Sequence, residues 1–259
     1  NASKFNVYGS RIRVLDTVNT VDLGVSECVD SSFIQNASSP SRASLVIQSA
    51  ANHTNCSYAG MNRVSLFDST PVLIKPRFID CNTNIKFYFQ GATINVREIV
   101  AHGAESYDFS MHAHQVNLGV RFIDSDIDLS RGQLSHASNL RFNAASVNVL
   151  IDDHSGPVAD ALVSLECQNP AAYAQNSFTD TSDANGRISE IIADTESAQN
   201  NTPSTTTLHT VYQFKVVSFS HLVLDEQWSI TQAVGNGYEA PQRTTLTTDP
   251  NITMTQAQA

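Results

Sequence analysis

No stretch of this chain repeats apolar residues at helical spacing over ten or more positions; short runs alternating apolar and polar side chains recur instead. A period of two places alternate side chains on opposite faces, as a half-buried strand requires. Phe5 and Val7 alternate, then Ile12 and Val14, then Val21, Leu23 and Val25. Similar runs lie near Val46, Leu66, Leu73, Ile79, Phe87, Val96, Phe122, Leu129 and Leu140. The fold class this predicts is all-β.

Two arrangements fit residues 1–144. In a right-handed parallel β-helix, turns of roughly 20 to 25 residues would each carry three short strands joined by polar corners. The segments 92–96 and 120–129 read as such rungs. The other arrangement is an antiparallel β-sandwich, against which stands the lack of clear two-residue hairpin turns before residue 145. The repeats are too degenerate to choose between them.

Residues 145–259 read as a second domain. Val147, Val149 and Ile151 alternate inward, and Asp153 to Pro157 make a turn in which Gly156 permits positive φ and Pro157 fixes the exit. Ala161, Val163 and Leu165 share one strand face. Asp183-Ala184-Asn185-Gly186 carries the Asn-Gly signal of a tight hairpin, and Ile188, Ile191 and Ile192 follow it. Tyr212, Phe214, Val216 and Phe219 mark a later strand, and residues 222–230 another. From Arg243 the tail alternates again through Leu246, Ile252 and Met254, as a last strand or as a segment that docks on another subunit. This pattern resembles the transthyretin-like or carboxypeptidase-regulatory-like family, a seven-stranded immunoglobulin-like sandwich, over about a third of the chain. The resemblance implies a non-catalytic module found outside the cell, and a surface β-helix followed by such a module is a familiar arrangement in exoproteins. A shared fold does not by itself specify function.

Composition supports an extracellular setting. Charged residues make up 15% of the 259, and Ser, Thr and Asn take their place. The formal net charge of −10 argues against nucleic acid, whose phosphates call for Lys and Arg, and against anionic membrane surfaces. No apolar run reaches the length of a transmembrane helix. The chain begins at Asn1, as a processed secretory product or an excised fragment would. Sequons at Asn1, Asn36, Asn52, Asn55, Asn200 and Asn251 would accept glycans on secretion. Cys28, Cys56, Cys81 and Cys167, an even set in a secreted chain, allow two disulfides in any of three pairings; the plainer alternative is one bridge, Cys28 to Cys56, with buried thiols elsewhere.

Candidate chemistry is sparse. Asp124, Asp126 and Asp128 would share one strand face, where their repulsion would be relieved by solvent or by calcium. A solvated strand edge carries the same pattern. His112 and His114 would stand about 7 Å apart on one face, a weak metal pair. His102-Gly103-Ala104-Glu105 matches the H-x-x-E of zinc carboxypeptidases, but positions i and i+3 of a strand face opposite sides. The loop at Asp183 departs from a calcium-binding loop, with Thr181 and Ile192 where ligands belong. Lys215 is the only lysine of the second domain and lies outside its first strand, which argues against the Lys–Asn isopeptide crosslink of some adhesins. No G-x-S-x-G, phosphate loop, dinucleotide fingerprint or C-x-x-C occurs.

The expectation is a non-enzymatic, secreted, glycosylated cell-surface protein that needs no cofactor. Its partner would be itself, as a subunit of a filament, surface layer or adhesive stalk joined by terminal strand addition. The alternatives are a polysaccharide-binding or polysaccharide-degrading β-helix with Asp124, Asp126, Asp128, Arg121 and Arg131 at its groove, and a spacer from a larger modular surface protein.

Overall fold

A computed structural model describes residues 5–15, 20–23, 25–36, 42–47, 52–67, 72–89, 94–113, 119–134, 140–168, 177–199, 206–208, 211–229, 231–233, 237–239 and 243–250. The described chain is all-β, with one short 3-10 turn at Leu129–Arg131. It divides into two compact units. Unit 1 is Asn1–Ala144 with Glu196–Leu208 and Ala233–Gly237; unit 2 is Ala145–Thr195 with His209–Gln232 and Tyr238–Ala259.

Unit 1 is a parallel β-solenoid. The chain lays down strands in triplets, beginning with β1 (Phe5–Tyr8), β2 (Arg11–Arg13) and β3 (Thr20–Leu23). Next come β4 (Val25–Val29), β5 (Ser32–Ile34) and β6 (Ser44–Ile47), then β7 (Asn52–Thr54), β8 (Ser57–Ala59) and β9 (Arg63–Phe67). The triplet β10 (Val72–Ile74), β11 (Arg77–Ile79) and β12 (Thr83–Phe89) follows, then β13 (Ile94–Arg97), β14 (Val100–His102) and β15 (Tyr107–Ala113). The coil closes with β16 (Gly119–Ile123), β17 (Gly132–Leu134) and β18 (Leu140–Val147). Each strand pairs in parallel with its counterpart one turn away, giving sheets in the orders β1-β4-β7-β10-β13-β16-β18, β2-β5-β8-β11-β14 and β3-β6-β9-β12-β15-β17. Of the two arrangements open for residues 1–144, the described strands adopt the stacked parallel coil.

Register turns sequence alternation into columns. Ile12, Phe33, Tyr58, Phe78 and Ala101 are aligned neighbours across the second sheet. The Phe33, Tyr58 and Phe78 rings stack with centroids 5.5 and 5.1 Å apart. In the third sheet Ile47, Leu66, Phe87, Met111 and Leu134 form a buried apolar column. Beside it Phe109 faces Gly132, where an added Cβ would fall 2.0 Å from the ring. Polar ladders brace the corner before the third sheet: the Asn62 amide donates to Ser44 Oγ and the Asn82 amide to Asn62 Oδ1, both at 3.1 Å.

The corner between the first two sheets uses one conformation repeatedly. Gly9, Asp30, Asn55, Lys75, Glu98 and Asp124 each follow a first-sheet strand, and all have φ between 50° and 53°. Left-handed backbone normally falls to Gly, Asn or Asp. Lys75 and Glu98 adopt it because the stacked strands on both sides hold the corner in place. The Asp124 corner overturns the expectation that Asp124, Asp126 and Asp128 line one strand face. The strand stops at Ile123; Asp124 makes the turn, Asp126 forms an isolated bridge with Val100, and Asp128 caps the 3-10 turn by accepting from Ser130 N–H at 2.8 Å.

Unit 2 contains a four-stranded antiparallel sheet. Its order is β21 (Ser177–Thr181), β20 (Leu162–Cys167), β24 (Val211–Val217), β25 (Leu224–Ser229). Alternation holds along β20, where Val163, Leu165 and Cys167 are buried opposite Val216, Phe214 and Tyr212. Trp228 stacks on Phe214 with centroids 3.5 Å apart. Val147, Val149 and Ile151 join the same core, but they do not form one strand: β18 ends at Val147 and β19 (Leu150–Asp152) begins a different sheet. Phe219, placed on a strand by its sequence, lies beyond β24 and is 84% exposed. The Asp183–Gly186 turn forms, with Gly186 N–H donating to Asp183 O at 2.9 Å. It is not a hairpin between neighbours, since β21 pairs with β20 while β22 (Ile191–Gln199) runs between β18 and β23 (Thr206–Leu208). The tail folds back on its own chain: β28 (Arg243–Thr245) pairs in parallel with β19, and Leu246 is buried.

Candidate functional site

Three polar constellations stand out, two on the solenoid and one in unit 2. The first is an open groove along the repeated corner, lined by Asn55, Lys75, Arg77, Glu98, Val100, Asp124 and Asp126. Equivalent positions on successive turns bring these side chains together, although they are far apart in sequence. Lys75 Nζ and Glu98 Oε2 pair at 3.0 Å, Asn55 donates its amide to Asp30 Oδ1 at 2.7 Å, and His102 Nε2 lies 2.9 Å from Asp126 Oδ2. The groove therefore carries both signs of charge, largely in contact with solvent. His102 and Glu105 of the H-x-x-E tetrapeptide part company, since Glu105 pairs with Arg42.

The second constellation is buried. Cys28 on β4 is aligned with His53 on β7, one turn further along the coil. Cys56 follows the Asn55 corner and Tyr58 lies on β8. All four side chains are fully buried. One donor atom from each of Cys28, His53 and Cys56 lies within 4.8 Å of the others. The two Sγ atoms are 3.1 Å apart, and both cysteines are free thiols. His53 Nδ1 is 2.5 Å from the Tyr58 hydroxyl, while His53 Nε2 is buried without a partner. The thiols are driven apart in acidity. A hydrogen bond with Cys28, and next the proximity of the His53 ring, pulls Cys56 below the ordinary thiol value, while the same bond and burial push Cys28 up. Burial pushes the Tyr58 hydroxyl well above its ordinary value.

Sequence reading singled out Cys28 and Cys56 and missed His53 and Tyr58. A signal existed in the coil period that separates Cys28 from His53 and in the short His53-x-x-Cys56 spacing across a corner. Reading it required the strand register. Among the described residues this is where three such donors converge, whereas Asp126 pairs with His102 and Asp128 accepts from Ser130 N–H. His112 lies on β15, and His114 is outside the described residues. Of the sequons, Asn36, Asn52 and Asn55 are exposed; Asn1, Asn200 and Asn251 lie outside the described residues.

The third constellation fastens unit 2. His221 Nε2 lies 3.2 Å from Asp153 Oδ2, and its Nδ1 lies 3.1 Å from the hydroxyls of both Ser218 and Ser220. Asp152 takes a charge-assisted bond from Arg243 and a 2.8 Å bond from the Thr245 hydroxyl, clamping β28 to β19. Four carboxyls of this unit sit below the ordinary range. Arg243 lowers Asp152 and the Ser155 hydroxyl, then His221, lowers Asp153; the Ser189 hydroxyl lowers Asp180 and the Arg187 N–H lowers Asp183.

A carboxyl depressed in the folded state stabilises fully above its unfolded value of about 3.9 and loses that contribution as pH falls from there through its lower folded value. Unit 2 is therefore expected to melt at progressively lower temperature below about pH 4. Thermal melts followed by the single Trp228 test this, and an unchanged midpoint between pH 5 and pH 2.5 would contradict it. Asp108 in the solenoid has the opposite sign, because burial raises it above its ordinary value despite Arg131.

Comparisons with protein-family models, curated proteins and solved structures find no match for this chain.

Proposed function

We propose that this chain is a non-catalytic building block of an extracellular surface structure, in which the solenoid pairs edge to edge with another copy. The observation that carries the reading is the state of the first triplet. Among the described residues β1, β2 and β3 each have one sheet neighbour, so the three sheets share one edge. Gly9 N–H donates to Val29 O; alternation along the strand turns the backbone groups of Tyr8 away from β4, where the Tyr8 carbonyl accepts from the Ser10 hydroxyl at 2.9 Å. An edge of unpaired N–H and C=O groups is a template for strand addition.

The edge also has a charge preference. Arg11 and Arg13 are exposed on either side of Ile12 on β2, in a chain of net charge −10. The incoming strand would then present carboxylates. Sequons on the solenoid surface fit the same extracellular setting. Terminal strand addition is assigned to the N-terminal edge, because β28 already has a place on β19 of its own chain.

The expected result is concentration-dependent association of the purified chain in sedimentation velocity, weakened by salt. The double substitution Arg11→Glu and Arg13→Glu should abolish it while leaving the melting temperature nearly unchanged. A wild-type chain that stays monomeric at high concentration refutes the reading.

A second reading rests on the corner groove. Carboxylates, amides and cations spaced along a solenoid face suit a polysaccharide, which offers a repeating array of hydroxyls. Oligosaccharide binding by calorimetry, lost in Asp124→Ala and Asp126→Ala, would support it in place of the first.

A further inference from the structure

We propose that Cys28, His53 and Cys56 form a buried binding site for a thiophilic d10 cation, zinc(II) or copper(I). Donor chemistry makes the first argument, since two thiols and an imidazole are the ligands that soft or borderline cations select. Geometry makes the second. One donor atom from each residue already lies within 4.8 Å of the others. The 3.1 Å sulfur separation is about 1 Å longer than the ~2.05 Å of a disulfide. Two thiolates at ~2.3 Å from one tetrahedral zinc stand roughly 3.7 Å apart, so a small opening of the pair admits the ion.

The imidazole makes the third and independent argument. His53 is fully buried, its Nδ1 is engaged by the Tyr58 hydroxyl, and its Nε2 has no partner. A histidine ligand commonly has this arrangement: one ring nitrogen donates N–H to a second residue, which fixes the tautomer and leaves the other lone pair for the metal. A disulfide between Cys28 and Cys56 would leave Nε2 as it is; a cation coordinated through Nε2 would satisfy it.

On binding, the protons that the two sulfurs still hold pass to solvent and both coordinate as thiolates, while His53 contributes its Nε2 lone pair and keeps its Nδ1 proton on the Tyr58 oxygen. No electron is transferred. With zinc the ion and two thiolates are neutral together, which suits a site out of contact with water. With copper(I), three donors complete the coordination. Because the donors come from successive turns of the coil, the ion would cross-link the turns.

The test uses the full chain, purified with reductant in the absence of oxygen. It is titrated separately with zinc and with copper(I) against a chromophoric chelator, and bound metal is counted by mass spectrometry. The expected result is one equivalent per chain, proton release on binding, and both thiols shielded from alkylation. Cys28→Ser should abolish uptake. Tyr58→Phe, which keeps the ring stack, should weaken it about 10- to 100-fold. Should Cys28→Ser fail to fold, the Tyr58→Phe titration and the alkylation protection still decide. No stoichiometric uptake by the reduced, folded chain overturns the proposal. So does uptake indifferent to both variants, or a native polypeptide lighter by two hydrogens with Cys28 bonded to Cys56.

Discussion

Replacing Tyr58 with Ala is expected to destabilise the solenoid by about 3–5 kcal/mol. The side chain is fully buried between Phe33 and Phe78 on the neighbouring turns. Removing it opens a cavity that rigid stacked strands cannot collapse to fill, and it breaks ring contacts with Phe33, Phe78 and His53 at once. The hydroxyl has a separate effect. Tyr58→Phe keeps the stack but takes the partner from His53 Nδ1, leaving a fully buried ring with neither nitrogen bonded, at about 1–3 kcal/mol. Urea unfolding followed by far-ultraviolet circular dichroism measures both. Equal losses in the two variants would mean that the ladder contributes little beyond the hydrogen bond.

Gly186→Ala should be nearly as damaging in unit 2, at about 3–4 kcal/mol from combined left-handed strain and overpacking. Its φ is +71°, and an added Cβ would sit 2.2 Å from Ile151 O. The obstruction is backbone: Ile151 N–H donates to Gly186 O at 2.7 Å, so the two segments are tied together. Neither can withdraw without losing that bond. The loss should appear as a lower urea midpoint of Trp228 fluorescence. Gly9→Asn is the contrast. Gly9 also has positive φ, but nothing lies within 4 Å of its Cβ position, and Asp30 and Asn55 occupy the same corner on the following turns. That change should cost under about 1 kcal/mol. A Gly186→Ala midpoint within error of wild type would show that the turn relaxes at little cost.

Particular residues show where sequence reading reached its limit. Alternation through Val163 and Leu165 placed them in a core, as did alternation through Phe87 and Phe122, because a period of two is local and survives any choice of neighbour. The Asp183–Gly186 turn was legible for the same reason: Asn-Gly backbone preference acts within four residues. What followed the turn was not legible. β21 and β22 join different sheets, a choice made by the cores they bury into and not by the turn. Asp124, Asp126 and Asp128 were misplaced because period two was carried past Ile123, where the coil turns a corner. That corner is left-handed on turn after turn, yet Lys75 and Glu98 carry no propensity for it; stacking imposes it.

The buried cluster divides in the same way. Cys28 and Cys56 drew attention as cysteines, whose chemistry is intrinsic. His53 and Tyr58 did not, since an isolated histidine or tyrosine in a strand has no distinguishing local signal. From sequence alone came the strand class, the polar and acidic surface, the sequons and the tight turns, all of them properties of short segments and of composition. The tertiary structure decided the parallel stacking register, the aromatic ladder, the open first edge and the meeting of two thiols with an imidazole. Those depend on contacts between residues a full turn of the coil apart, and the spacing that creates such contacts varies from turn to turn with corner length.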